Sequence, residues 1–487
     1  MVTRFIRGKS MDGSFTDTNN LAQALMIEPE IADVLIYAYG MERKGDVYNL
    51  LQYLTQGRGA VATEGKSYKV ISNDELKWPV MGHMVTSKPI SGTVQGNGLG
   101  FSTFVVPFAE KYYSLGFVLR FEDGSQARIV EEPYKLGNNW CYTMQLMGNL
   151  PGAFVGTEAL EPGKEVGWNY TAYEEGSEGG GMVEATPMWF TNQMSTHRTK
   201  TGMTADAKLQ KIAFEIERNG KKSRLWLFEK QFQATLQHMR AIERLLWDGR
   251  YNKLSDGSIP QIGVNGRPVK QGSGIEEQLE GVNKIVTSRL TEDLFYQLAV
   301  DLSHNAGDAE NKKVVIVTGH GGMYEFDQCF KRASASLSLV DTHFVSKNKG
   351  AELSFGAQFT SYKGPYGIEF TVINHPMFND ANVYTKKIGP KQFTDQSYKM
   401  FFLDFSDYGG ESNIQMITKG ANGENRQMLQ WFTAGSTTPD FGGSTGVGKV
   451  LRSHSGDYFD QYTLSQLMVQ IRNPLSCGMI HIQPPVS

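Results

Sequence analysis

Cysteine is scarce in this sequence. Cys141, Cys329 and Cys477 are the only three in 487 residues. They are odd in number and far apart, so they offer neither a disulfide framework nor a CxxC metal or redox pair. A reducing cytoplasm is the setting this implies for synthesis. Long apolar runs are lacking too: nowhere do about 18 apolar residues follow one another, as a bilayer span requires. Arg4 and Arg7 near the start are not followed by the apolar core of a signal peptide. The chain is therefore expected to be neither secreted by signal peptide nor membrane-spanning. Charge of one sign is missing as well. Lys and Arg number 48 against 51 Asp and Glu, a net charge of -3. Such a chain displaces few counterions from nucleic acid, which argues against sequence-specific DNA binding.

Glycine and aromatic residues are plentiful, at 53 glycines and 11% Phe, Trp and Tyr. Many turns with large side chains between them suit a β-rich architecture, and the length leaves room for two or three hydrophobic cores. Residues 1–20 read as a loose arm. A helical spacing follows over 21–54, through Leu21, Leu25, Ile31, Leu35 and Tyr39, with breaks at Pro29 and Gly40. Between Gly57 and Thr204 that spacing gives way to short alternating runs, including 101–108, 116–130 and 140–147, with Asp123-Gly124 as a hairpin turn. Glu174 to Gly181 reads as a flexible acidic loop tip. Trp168, Tyr170, Tyr173, Trp189 and Phe190 flank it. Such an excursion fits either an arm whose aromatic flanks contact a neighbouring subunit or a closed β-barrel insertion.

The strongest single signal is the helix expected over Ser223 to Trp247. Leu225, Phe228, Phe232, Leu236, Met239, Ile242 and Leu246 recur at steps of three and four and form one apolar stripe. Lys230, Gln233, Gln237, Arg240 and Arg244 are expected on the opposite side, and Gly249 stops the helix. Its length would be roughly 37 Å, about one domain diameter. A Gly/Pro-rich connector, Asp256 to Gly274, should then leave one module and enter another. An α/β pattern follows: a helix opened by Thr291 and ending near Asn305, a buried strand at Val314 to Thr318, a helix over Met323 to Ala333, and strands at 367–373 and 398–406. Residues 464–482 close the chain as a returning strand.

Motifs for chemistry are weak. Gly443 to Lys449 (GSTGVGK) meets the first seven positions of the phosphate-binding P-loop, but Val450 stands where the magnesium-binding hydroxyl belongs. No buried strand precedes it and no helix follows. The same loop fits GxSxG through Gly442, Ser444 and Gly446, with Asp457 and His481 in hydrolase order, again without a strand-to-helix elbow. A glycine-rich linker accounts for both. Gly319-His320-Gly321-Gly322 lacks GxGxxG spacing and reads as a tight strand-to-helix turn. His320, His343 and His375 have no carboxylate or thiol at metal-ligand spacing. Glu131-Glu132 and Glu174-Glu175 read as solvated loop charge. The expectation is no catalytic residue, no cofactor and no metal.

The order of elements resembles the major capsid proteins of tailed bacteriophages, the Hong Kong 97-type fold. The resemblance is carried by TEDLFYQLAVDLSHNAG, KKVVIVTGHGGMYEFDQ, YGIEFTVINHPMF and YKMFFLDFSDYGGESNIQMIT, in the places of the family's axial domain, and by LMVQIRNPLSCGMIHI as its closing strand. These patterns cover residues 207–487. Size and the β-rich first half look most similar to capsid proteins of crAss-like phages of gut bacteria.

The resemblance implies an α+β chain with an N-terminal arm and helices (1–56), an E-loop with a β-rich insertion (57–220), a spine helix and peripheral-domain connector (221–285), an axial α/β domain (286–445) and a returning peripheral strand (446–487). It implies a non-enzymatic protein that self-assembles into hexamers and pentamers of an icosahedral head. Partners would be further copies of itself, a scaffolding protein, a portal, decoration or auxiliary proteins, and packaged double-stranded DNA bound without sequence specificity, but no membrane. With no acidic scaffolding segment ahead of the arm, scaffolding would be a separate protein or one removed earlier. The location would be the virion, after synthesis in the host bacterial cytoplasm. Two alternatives stand beside it: a β-rich glycan- or receptor-binding virion protein, and an NTPase acting through Gly443 to Lys449.

Overall fold

The computed structural model describes residues 50, 67–81, 86–177, 186–204, 206, 216–218, 221–223, 226–304, 313–336, 361–363, 368–408, 410–421, 424–435 and 453–485. The arm, the helical spacing over 21–54 apart from Leu50, and the Gly443 to Lys449 loop lie outside them. The chain divides into two units, residues 79–188 and the remainder, 1–78 with 189–487.

The first strand of the larger unit among the described residues is β1 (Tyr68–Ile71). The smaller unit is a barrel built from β2 (Ser87–Pro89), β3 (Thr103–Phe108), β4 (Phe117–Arg120), β5 (Gln126–Ile129), β6 (Asn139–Leu146) and β7 (Glu165–Thr171). Its order is β2-β7-β4-β5-β6-β3. The sheet closes where Ile90, just past β2, bridges Phe108 of β3 and the Ser91 N–H donates to the Pro107 carbonyl. Of the two sequence readings of this excursion, closure is what its backbone does. Alternation drives it: Phe104, Val106 and Phe108 turn inward opposite Met144, Tyr142 and Trp140. Asp123-Gly124 makes the expected turn between β4 and β5, with Gly124 at φ 86°. Closure also removes the unpaired edges that an open sheet would present.

Farther along, the larger unit contains β8 (Ser195–Thr204), α1 (Trp226–Asp248), α2 (Ile275–Glu280), β9 (Lys284–Thr287), α3 (Glu292–His304), β10 (Lys313–Thr318) and α4 (His320–Ser336). Then come β11 (Glu369–Asn374), β12 (Lys399–Asp404), β13 (Ile414–Ala421), β14 (Leu429–Ala434), β15 (Tyr458–Ile471) and β16 (Gly478–Ile482). One sheet runs β1-β13-β15-β8, with β14 also paired to β15. β8 and β15 match over their whole shared length, from Ser195 opposite Leu467 to Thr204 opposite Tyr458. The second sheet runs β9-β16-β12-β10-β11 and ends in residues 361–363.

Among the described residues, two large cores fill this unit, beside a small cluster of Met194, Ile417 and Met468. The first joins α1 and α2 to both sheets through Met239, Ile242, Leu246, Trp247, Ile275 and Leu279 against Phe401, Leu403, Ile414, Leu467 and Val469. The second lies beneath α3 and α4, where Phe295, Leu298, Leu302 and Phe326 meet Val314, Ile316, Phe370, Met400 and Phe402. β12 belongs to both, with Phe401 and Leu403 in one core and Met400 and Phe402 in the other. This explains its unbroken apolar run, since a strand covered on both faces has no polar side to show.

Two expectations are corrected. The connector after α1 does not depart for another module. Its far end returns to its start, with the Gly274 N–H donating to the Gly249 carbonyl at 2.7 Å and Ser273 N donating to Asn192 Oδ1 at 2.8 Å. Glycine and proline signal irregular backbone but not its direction. The closing segment is likewise two strands in two sheets, β15 and β16, separated by a 3-10 turn at Pro474–Ser476. Proline has no N–H to continue a ladder, and Asn413 Nδ2 holds the break by donating to Ser476 Oγ at 3.1 Å.

Candidate functional site

None of the motifs with chemical potential forms a reaction site among the described residues. The turn at Gly319 to Gly322 could have offered a helix N-terminus to a phosphate. Protein groups already fill that place: His320 N donates to Asn379 Oδ1 at 2.7 Å and Gly319 N to the Ser397 carbonyl at 3.2 Å. A Cβ at Gly321 would stand 2.7 Å from Tyr398 Cγ, so the glycine is there to let the helix lie on that ring. His481 pairs with Asp395 at 2.9 Å, and His375 is committed to Glu243. His343 lies outside the described residues. Among those described, no three His, Cys, Asp or Glu side chains gather as a metal site. Glu131, Glu132, Glu174 and Glu175 are exposed.

The densest construction is the joint at the C-terminal end of α1. Leu236, Met239, Ile242 and Leu246 are buried. Leu225 and the side chains of Phe228 and Phe232 lie outside the described residues. The buried face is wider than the apolar stripe, because His238, Glu243 and Trp247 are also fully covered. Glu243 Oε1 accepts three hydrogen bonds, from Leu50 N at 3.0 Å, Trp247 Nε1 at 2.9 Å and His375 Nε2 at 2.8 Å. A carboxyl group taken out of water survives only with such partners. Glu243 could have been found by its spacing, four residues after Met239 and four before Trp247.

Arg244, expected on the solvent side, reaches Asp380 at 3.1 Å. Asp248 accepts from the Tyr384 hydroxyl at 2.6 Å, and burial raises its carboxyl above the usual carboxylate range. On α2, Glu276 Oε1 accepts from Lys399 at 2.8 Å and Arg250 at 3.1 Å, while Oε2 accepts from Gln396 at 2.8 Å. This end of α1 packs against both sheets. It offers no cleft with an acid, a base and a nucleophile together.

The other functional material is apolar surface. Of the aromatics flanking the acidic tip, Trp168 stacks on Phe117 at 5.3 Å and Phe190 on Trp78 at 6.0 Å. Tyr170 and Tyr173 are exposed, and Trp189 is 68% exposed. Sequence reasoning missed further exposed residues. Leu99, Leu150 and Phe154 stand out from loops of the barrel, where no periodicity marks them. Ile262 and Val264 stand at the turn of the connector. On the sheet of the larger unit, Trp431 stacks on Tyr462 at 5.4 Å, with Lys200 over the Tyr462 ring. At each of these places a large apolar or aromatic side chain is left in solvent.

Comparison with known proteins gives these features a context. The model of the family described as Crassvirus major capsid protein matches residues 3–484. The chain is similar to the major capsid protein of Bacteroides phage crAss001, at 25% identity over 361 residues, 67% of this chain and 71% of that protein. Among solved structures it is similar to one from Microbacterium phage Oxtober96, with 9% identity, a TM-score of 0.35 and coverage of 96% of this chain and 99% of that one. Another is from Mycobacterium phage Patience, with 10% identity, a TM-score of 0.34 and coverage of 66% and 79%.

Proposed function

From the premise that the chain belongs to the Crassvirus major capsid protein family, and is therefore a structural, non-catalytic component of a phage capsid with an α+β fold of the Hong Kong 97 type, we propose the following division of labour. α1 is the spine helix. The sheet β1-β13-β15-β8 forms the peripheral domain with it, and the sheet under α3 and α4 is the axial domain. Residues 57–220 serve as E-loop and insertion, with the barrel of 79–188 as the inserted part. Residues 1–56 serve as the N-terminal arm. The subunits close into hexamers and pentamers in the host cytoplasm, alongside a scaffolding protein, a portal and decoration proteins, and enclose double-stranded DNA without reading its sequence. The near-zero net charge supports this last point, since a strongly basic lining would hold the genome too tightly to pack or release it.

The observation that carries the assembly reading is large apolar side chains left in solvent beside well-filled cores. Closed rings need heterologous contacts between different surfaces of neighbouring copies, and many modest contacts made together hold a lattice. Trp168, Tyr170, Tyr173, Trp189 and Phe190 are assigned to such contacts between subunits. Trp189→Ser is the test. The expected outcome is a chain with an unchanged unfolding midpoint whose yield of closed particles, counted by negative-stain microscopy after expression with a scaffold, drops at least about tenfold, as loss of an aromatic anchor does. Full particle yield from this variant would remove Trp189 from the interface.

A further inference from the structure

We propose that His197 and His238 form an acid-sensitive latch between the long helix α1 and the sheet strand β8. The latch is built within one subunit and does not rest on the assembly reading above.

His238 is fully buried on α1. Its Nε2 lies 2.8 Å from Ser465 Oγ and its Nδ1 2.9 Å from Thr199 Oγ1. The Ser465 hydroxyl donates its own proton to the Gln427 carbonyl, so its oxygen accepts from His238 Nε2–H. Nδ1 is then the bare nitrogen, accepting from the Thr199 hydroxyl. The geometry therefore selects one neutral tautomer. A second proton would have to enter at Nδ1, against a hydroxyl that is already donating. His197 lies 4.7 Å away, ring centroid to ring centroid. Its Nε2 is buried and meets no partner among the described residues. Two imidazolium ions at that separation would repel each other across the joint between helix and sheet.

Among the described residues no carboxylate hydrogen-bonds to either ring. β8 and β15 turn Thr199, Thr463 and Ser465 toward the helix, while Lys200 and Asp460 pair on the other face of the sheet. A groove of about 370 Å³ beside His197 is lined by Arg244 and Asp248 of α1 and Lys270 of the connector. Arg244 pairs with Asp380, Lys270 with Asp74, and Asp248 accepts from Tyr384 through Oδ2, while its Oδ1 is buried and meets no partner among the described residues. Burial, and then the charge of His197, lower the His238 pKa from 6.5 to about 4. Burial lowers that of His197 too.

The sign follows. A group whose folded pKa is depressed in this way leaves the unfolded chain holding more protons between about pH 6.5 and 4. The latch is at full strength above that window and is lost as the pH falls through it. One proton is worth up to about tenfold in the folded-to-unfolded ratio per pH unit, so His238 accounts for a loss on the order of a hundredfold by pH 4.

The test uses the full chain. Exchange of each histidine C2 hydrogen, read by mass spectrometry, should place the His238 titration well below the ordinary histidine range. His238→Gln removes the titrating ring and keeps one amide donor and one acceptor at the position. Its urea midpoint should fall with acid less steeply than wild type, by one proton. If that variant does not fold, His197→Gln serves instead, and removal of the neighbouring charge should move the His238 titration upward. An ordinary titration of His238 in the wild-type chain, or superimposable pH profiles for wild type and His238→Gln, would overturn the latch.

Discussion

Gly274→Ala is expected to yield no soluble folded subunit. A Cβ at this position would lie 2.5 Å from the Trp247 carbonyl oxygen, 2.7 Å from Gly249 N and 2.8 Å from the Trp247 carbonyl carbon. All three are backbone atoms, so no side chain can swing aside. To admit the methyl group, the start of α2 must withdraw from the end of α1. That breaks the Gly274 N–H bond to the Gly249 carbonyl and pulls Ile275 and Leu279 out of the first core. Overpacking alone costs about 1–3 kcal/mol. The stranded polar groups and lost apolar contacts bring the total to roughly 5 kcal/mol, comparable with the whole stability of many domains. Gly281→Ala, seven residues on, is the control. A Cβ there meets nothing within 4 Å, so its urea midpoint should match wild type or slightly exceed it. Soluble expression followed by urea unfolding distinguishes the two, and a Gly274→Ala chain as stable as the control would refute the close approach.

Trp247→Ala is expected to cost about 3–5 kcal/mol, the range for removing a buried large aromatic. The indole is fully covered and makes edge contacts with His375 at 5.5 Å and Phe378 at 5.0 Å, and a tilted one with Phe401 at 5.1 Å. Its loss opens a cavity where α1 meets both sheets, and it also deprives Glu243 of the indole N–H donor. Trp247→Phe separates these effects, because it restores most of the volume without the N–H. Calorimetry should place the phenylalanine variant between wild type and the alanine variant. Equal stability of wild type and Trp247→Ala would mean that the first core does not depend on this contact.

What could be read in advance depended on the kind of signal. The long helix was legible because its apolar residues repeat over several turns, and Val314 to Thr318 and 398–406 were legible because strands covered on both faces are apolar without interruption. Closure of the barrel was not, because Ile90 and Phe108, which complete the ring, are linked by register rather than by anything in their own neighbourhoods. His238 and Glu243 were missed for a related reason: polar side chains within a helix read as surface until their partners, Thr199, Ser465 and His375, are brought from distant parts of the chain. The aromatic pair Trp431 and Tyr462 is equally non-local.

The double allegiance of β12 leaves one question of alignment to be settled elsewhere in the strand. Sliding a strand by one residue turns every side chain over. Here the exchange would put Met400 and Phe402 where Phe401 and Leu403 belong, apolar groups of similar bulk, so burial alone barely opposes the error. The polar ends provide the stop. Lys399 is tethered to Glu276 and its carbonyl accepts from Thr318 Oγ1, while at the other end the Asp404 N–H donates to Cys477 Sγ and its carbonyl accepts from Asn413 Nδ2. The greasy middle of this strand supplies cohesion, and its two hydrophilic terminal residues fix the reading frame in which the sheet is zipped.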